Sequence, residues 1–283
     1  MGQLNILGCD SGFNESGIVI FGAPFDSTTS YRPGTRFASR TIRSESYGFE
    51  SYSPYQDRDL AGIDVHDAGD LELPFGDTSK ALDLISEITA KILGAGKIPF
   101  MIGGEHLVTL GALRSVFNKY PGLRIIQFDA HADLRDEYLG VTLSHATVMR
   151  RGWDLTGPGR LYQFGIRSGD KDEFIFAGNA DNGIKMRKFD FLGLDEAIAE
   201  IADDPVYLTV DLDVLDPSVF PGTGTPEAGG VSFSELHKAV SAVCKNARVV
   251  GADMNELAPN YDAGGSSVAC ACKLLREMLI ALS

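Results

Sequence analysis

The residues best equipped for chemistry lie in three short clusters. Asp129-Ala-His131-Ala-Asp133 sets two carboxylates around an imidazole at every second position, so an extended chain would turn all three side chains to one side. Asp211-Leu-Asp213 repeats the spacing, and Asp216-Pro217 closes that segment. Gly103-Gly104-Glu105-His106 adds a second imidazole after two glycines that permit a tight turn. A lone aspartate beyond a strand is ordinarily a turn former or a helix cap. Asp129, His131 and Asp133 together are poorly explained that way, because gathered carboxylates are costly to desolvate without a compensating cation. A dinuclear metal centre relieves that cost. Four carboxylates and two imidazoles without a cysteine form a hard, oxygen-rich donor set that suits Mn²⁺ better than Zn²⁺.

The segments carrying these clusters predict how they are positioned. Apolar runs at Gly17–Gly22, Ile98–Ile102, Leu123–Phe128, Leu161–Ile166, Val206–Val210 and Ala247–Ala252 are continuous rather than alternating, as buried parallel strands are. Helical periodicity separates them, clearest at Lys80–Leu93, where Leu82, Ile85, Ile88, Ala90 and Ile92 or Leu93 share one stripe. Leu107–Phe117, Ser144–Arg151, Phe233–Val243 and Ser266–Leu282 are further helices. This alternation predicts an α/β protein, a three-layer α/β/α sandwich with a central parallel sheet. Ligands of such sheets bind beyond the carboxyl ends of the strands, where all three clusters lie. No linker or repeat divides the chain, so residues 1–283 are expected to form one domain, with Tyr47–Leu60 its longest irregular stretch.

Composition narrows the partners. With 25 Lys and Arg against 39 Asp and Glu, the net charge of −14 excludes the cationic footprint of a general nucleic-acid binder. A hydrophobic content of 44% excludes disorder. No window reaches the roughly 20 apolar residues of a membrane span, and no basic leader opens the chain, so a cytoplasmic protein is expected. Cys9, Cys244, Cys270 and Cys272 form neither a disulfide framework nor a zinc ribbon and are expected to be reduced, buried hydrophobes.

Three other features have ordinary readings. Pro221-Gly-Thr-Gly-Thr-Pro-Glu227 lacks the third glycine and the helix start of a phosphate loop and is expected to shape a rim. Gly264-Gly-Ser-Ser267 lacks the serine-hydrolase elbow, and Ser266 or Ser267 is expected to cap the last helix. Arg36, Arg40 and Arg43, with Arg32 nearby, would line a stripe of a helix starting near Thr35, expected to be a solvated face paired with acids.

Taken together, the motifs resemble the ureohydrolases, the dimanganese family that includes arginase, agmatinase, guanidinobutyrase, proclavaminate amidinohydrolase and formiminoglutamase. The matching segments are Gly103–His106, Phe128–Asp133, Ser144-His145, Leu208–Pro217, Pro221–Pro226 and Gly251–Glu256, with Ser30–Gly34 and Arg36-Phe-Ala near the start. The resemblance implies an arginase-like fold and two Mn²⁺ per chain. One ion would be held by His106, Asp129, Asp133 and Asp211, the other by His131, Asp129, Asp211 and Asp213. It also implies that Asp133 is a first proton relay, His145 a proton shuttle and Glu256 the carboxylate that pairs with a substrate guanidinium. A homo-oligomer, trimer or hexamer, is implied as well.

Within the family, agmatine is the expected substrate, cleaved to putrescine and urea. The loop Leu134–Leu143 has no asparagine to bind an α-carboxylate, and its Asp136 and Glu137 are expected to attract a distal ammonium. Arg135 points the other way, since it could hold a carboxylate. The alternatives are another guanidino substrate (guanidinobutyrate, arginine or guanidine), a non-catalytic homologue and a single-zinc deacetylase-type enzyme. The complete ligand set opposes the last two.

Overall fold

A computed structural model of the chain describes residues 4–283. The six apolar runs become strands, and two charged segments add one at each sheet edge. In chain order they are β1 (Ile18–Gly22), β2 (Val65–Asp70), β3 (Ile98–Ile102), β4 (Arg124–Phe128), β5 (Leu161–Ile166), β6 (Lys185–Lys188), β7 (Pro205–Asp211) and β8 (Arg248–Asn255). All pair in parallel, in the order β2-β1-β3-β8-β7-β4-β5-β6. The chain builds one half of the sheet with β1 to β3 and the other with β4 to β6. It then fills the middle with β7 and β8, so the carboxyl ends of β3, β8, β7 and β4 stand side by side.

Among the described residues, eight helices cover the sheet: α1 (Ala38–Glu45), α2 (Thr78–Gly94), α3 (Thr109–Lys119), α4 (Val148–Thr156), α5 (Lys171–Gly178), α6 (Leu194–Ile201), α7 (Phe233–Asn246) and α8 (Ser266–Leu282). Period-two geometry splits each central strand between two cores. Ile18, Ile20, Ile126 and Phe128 face α1 and α6 to α8, whereas Val19, Phe21 and Ile125 face α2 to α5. The result is the three-layer sandwich expected, and no described helix is long and apolar enough to cross a membrane. The four cysteines are unpaired, and three of them are buried.

Three local expectations need correction. Arg43 is not on a solvated face: it is buried and grips Asp67 through Nε and Nη2 at 2.8 and 2.9 Å, with Asp70 also in contact. No serine is the N-cap of α8: Gly265 holds that position, and Asp262 before it accepts from the backbone of Ser267 at 2.6 Å and the hydroxyl of Ser266 at 3.0 Å. Tyr47–Leu60 contains a short antiparallel pairing of Tyr52-Ser53 with Arg58-Asp59.

Candidate metal centre

Each central strand end delivers one part of the site. His106 follows β3, Asp129 to Asp133 follow β4, Asp211 ends β7 with Asp213 in the turn after it, and Glu256 follows β8. The three residues after β4 do not share a face as an extended chain would require. Asp133 takes a left-handed φ of 53°, and His131 and Asp133 diverge into separate clusters. One gathers His106, Asp129 and Asp133, the other Asp129, His131 and Asp213; the ligand atoms of each lie within 4.8 Å of one another. Asp129 belongs to both. His106 Nδ1 stands 3.0 Å from Asp129 and Asp133 and 3.4 Å from Asp211. His131 Nδ1 stands 3.0 Å from Asp213 and 3.6 Å from Asp129.

A buried polar layer beneath these groups decides how they point. Asp253 receives hydrogen bonds from Tyr207 Oη (2.6 Å), Thr209 Oγ1 (2.6 Å), Thr109 Oγ1 (2.8 Å) and Asn255 Nδ2 (2.8 Å). Thr209 thereby spends its one proton on Asp253 and must accept from His106 Nε2, 2.9 Å away. That assignment fixes the tautomer and leaves the Nδ1 lone pair facing three carboxylates. Only a positive charge, a proton or a metal ion, reconciles those groups. Gln127 plays the matching role at Asp129: Nε2 donates to Asp129 Oδ2 at 2.6 Å, while Gln127 Oε1 accepts from Gln163 Nε2 at 2.6 Å.

The electrostatics point the same way. Burial, then the neighbouring carboxylates, push Asp211 well above the usual carboxylate range; burial and Asp129 raise Asp133. Burial alone would keep His106 neutral, but hydrogen bonding to Asp129 and Asp133 pushes its pKa well above the ordinary histidine value. Protons thus gather where divalent cations would neutralise the same carboxylates. The donor set fits a pair of hard divalent ions.

The site opens into a cavity of about 280 Å³ whose wall includes His106, His131, Asp133, His145, Asp211 and Glu256. Glu256 has a φ of 65° and is buried; its Oε1 accepts from His106 N at 2.6 Å, and its own N–H donates to Gly104 O at 3.0 Å. Burial, then Asp213, raise its pKa well above the usual range, so an incoming cation would favour its ionised form. Gly104 is required because any Cβ there would collide with the carbonyl of Phe25. His145 heads the turn before α4. Its imidazole Nε2 lies 3.2 Å from Ser30 Oγ, its ring meets Tyr138 edge-on, and burial lowers its pKa to about 4.

The rim overturns one expectation. Asp136 is exposed and pairs with Arg151 at 2.6 Å and Arg150 at 3.7 Å, and neither it nor Glu137 lines the cavity. The acids that line it instead are Asp170, exposed at the head of α5, and Glu173, buried one turn further on, beside Arg135 and Tyr138. Arg135 pairs with Asp170, lies 3.5 Å from Glu173 and stacks over Tyr138 with its guanidinium carbon 4.7 Å from the ring centre. Of the residues that sequence reasoning left without a role, Thr209 and Gln127 carry a signal: each is a polar side chain inside an apolar, buried strand.

The arginase family profile matches residues 16–281 of the chain. Over 270 residues the chain is 49% identical to the agmatinase of Bacillus anthracis, covering 95% of this chain and 92% of that protein. It is 37% identical over 260 residues to the N(1)-aminopropylagmatine ureohydrolase of Thermococcus kodakarensis, covering 91% and 88%. The crystal structure of the agmatine ureohydrolase of Thermoplasma volcanium superposes with a TM-score of 0.90 at 33% identity, covering 100% of this chain and 95% of that one.

Proposed function

The chain belongs to the arginase family of ureohydrolases, and on that premise we propose that it hydrolyses agmatine to putrescine and urea at a dimanganese site. Metal-dependent amidine hydrolysis follows from the membership; the substrate, the metal and the residue roles are the proposal. The observation that carries it is the pair of clusters joined through Asp129. In this reading His106, Asp129, Asp133 and Asp211 hold one ion, and His131, Asp129, Asp211 and Asp213 hold the other.

Two such ions supply a solvent nucleophile near neutral pH and stabilise charge at the reacting carbon. The protein's own groups do the rest. Glu256 pairs with the substrate guanidinium and holds its carbon in line for attack, a positioning role. Asp133 accepts the proton released as solvent oxygen adds to that carbon. His145, neutral at pH 7 because burial lowers its pKa to about 4, takes that proton over from Asp133 and passes it to the departing amine nitrogen as the carbon–nitrogen bond breaks, which leaves Asp133 ionised for the next turnover. The amine leaves as putrescine and the remainder as urea.

Arg135 at the mouth favours a second reading, a guanidino acid such as 4-guanidinobutyrate. Its guanidinium is already committed to Asp170 and Glu173, which keeps agmatine ahead. The same proposal places the protein in the cytoplasm as a single-domain homo-oligomer, trimer or hexamer. The test is urea release from a panel of guanidino compounds by Mn²⁺-loaded protein, with metal analysis. About two Mn²⁺ per chain and urea from agmatine are expected. Full activity with one equivalent would refute the dinuclear site, and the absence of urea from every compound would refute the activity.

A further inference from the structure

One short segment anchors His145 at two points. The backbone N–H of His145 donates to Thr28 Oγ1 at 3.1 Å, and its Nε2 lies 3.2 Å from Ser30 Oγ. Nδ1, buried, has no hydrogen-bond partner in the protein among the described residues, so Ser30 alone orients the ring by hydrogen bonding. The segment is itself fastened from below. Thr28 N, Thr28 Oγ1 and Thr29 Oγ1 donate to the carboxylate of Glu105 at 2.8, 2.6 and 3.1 Å. Glu105 is fully buried and has no ion pair among the described residues, so these three donors are what makes its burial tolerable. Proton counting fixes the direction: Thr28 spends its only hydroxyl proton on Glu105 and must therefore accept from His145 N–H.

Glu105 occupies the same turn that holds Glu256. Its own N–H donates to Phe25 O at 2.8 Å, and the neighbouring Gly104 and His106 backbones hold Glu256. We propose that Thr28, held by Glu105, and Ser30, two residues further along the same segment, are positioning residues that set His145 for proton transfer, so that this segment is part of the catalytic apparatus. The proposal rests on the proton-shuttle reading of His145.

A double-mutant cycle tests it. Thr28→Val removes the hydroxyl while keeping the shape, and Thr28→Ser restores it; each is made in the wild-type and His145→Ala backgrounds and assayed with agmatine and Mn²⁺. Thr28→Val is expected to lower kcat about tenfold, with KM and bound metal little changed. Thr28→Ser recovers most of the loss, and in the His145→Ala background Thr28→Val costs nothing further. Ser30→Ala should follow the same pattern and serves if Thr28→Val folds poorly. An equal loss in both backgrounds, no loss in the wild type, or failure of Thr28→Ser to rescue would overturn the positioning role. Full turnover in His145→Ala would instead overturn the shuttle reading beneath it, a result that needs no Thr28 variant to read.

Discussion

His145 and Thr209 sit on opposite sides of the division between chemistry and support, and their variants should fail differently. His145 lies outside both ligand clusters, so His145→Asn should lower turnover about 10²-fold, the scale of a lost acid–base group, with normal metal content. Loss of metal in that variant would refute the role. Thr209 does not line the substrate cavity, but its hydroxyl accepts a hydrogen bond from His106 Nε2 and donates one to Asp253. Thr209→Val should weaken metal binding about 10- to 100-fold, as loss of a group supporting a ligand does, while Thr209→Ser should retain it. Titration of the metal-free protein against a fluorescent chelator measures both, and unchanged affinity in Thr209→Val would sink the tautomer argument. The ligand motifs were legible in the sequence because their spacing is local. The supporting layer was not, because Thr209 meets His106 across 103 positions and Glu105 meets Thr28 across 77. No local pattern records such pairings.

Elements were legible where they are buried on both sides and illegible where they are not. The six continuous apolar runs all became strands, but Val-His-Asp-Ala-Gly-Asp of β2 and Lys-Met-Arg-Lys of β6 carry the charges that protect sheet edges from pairing with another chain. Those same charges hide the strands from a hydrophobicity reading. Strand order was equally unreadable, because the placing of β7 and β8 between the halves is a property of the closed sheet. A further hidden element contact joins the 52–59 hairpin to α8 and α7 through Glu277. Its carboxylate is buried and accepts from Ser53 (2.6 Å), Gln56 (2.9 Å) and Arg276 (2.7 and 3.0 Å), with His237 at 3.5 Å. Burial alone would raise its pKa, but the bonds from His237, Ser53, Gln56 and Arg276 outweigh it and hold the value at about 2. A depressed carboxylate contributes stability that is complete above the unfolded value near 4.5 and is lost as pH falls through the folded one. Glu277→Gln should therefore destabilise the protein at pH 7 by about 1–3 kcal/mol, and the gap should narrow as pH drops below about 4.5. Urea unfolding of both proteins at pH 7, 4 and 3 reads this directly, and a gap that stayed constant would assign the loss to packing.

For the whole molecule, the question is which guanidino compound the charge distribution admits. A net charge of −14 attracts cations in proportion to their charge, and agmatine carries two positive charges near neutral pH, whereas arginine is a net monocation and 4-guanidinobutyrate a zwitterion. The mouth refines that preference. Asp170 there neutralises the guanidinium of Arg135, with Glu173 buried behind the pair, so a tail ammonium meets no unpaired cation. A tail carboxylate must compete with Asp170 for Arg135. The loop from Leu134 to Leu143 offers no asparagine to bind the α-carboxylate of arginine, and bringing that group to the mouth without a partner carries a desolvation cost. Arginine should therefore be cleaved at least about 10²-fold less efficiently than agmatine, a discrimination of about 2.7 kcal/mol. The variant Arg135→Gln sharpens the test. With Asp170 released, kcat/KM for agmatine should hold or rise while that for 4-guanidinobutyrate falls, each measured side by side under Mn²⁺ saturation. If the wild-type protein instead cleaves arginine or 4-guanidinobutyrate as well as agmatine, Arg135 rather than the acids around it governs the mouth, and the substrate has been assigned to the wrong end of that ion pair.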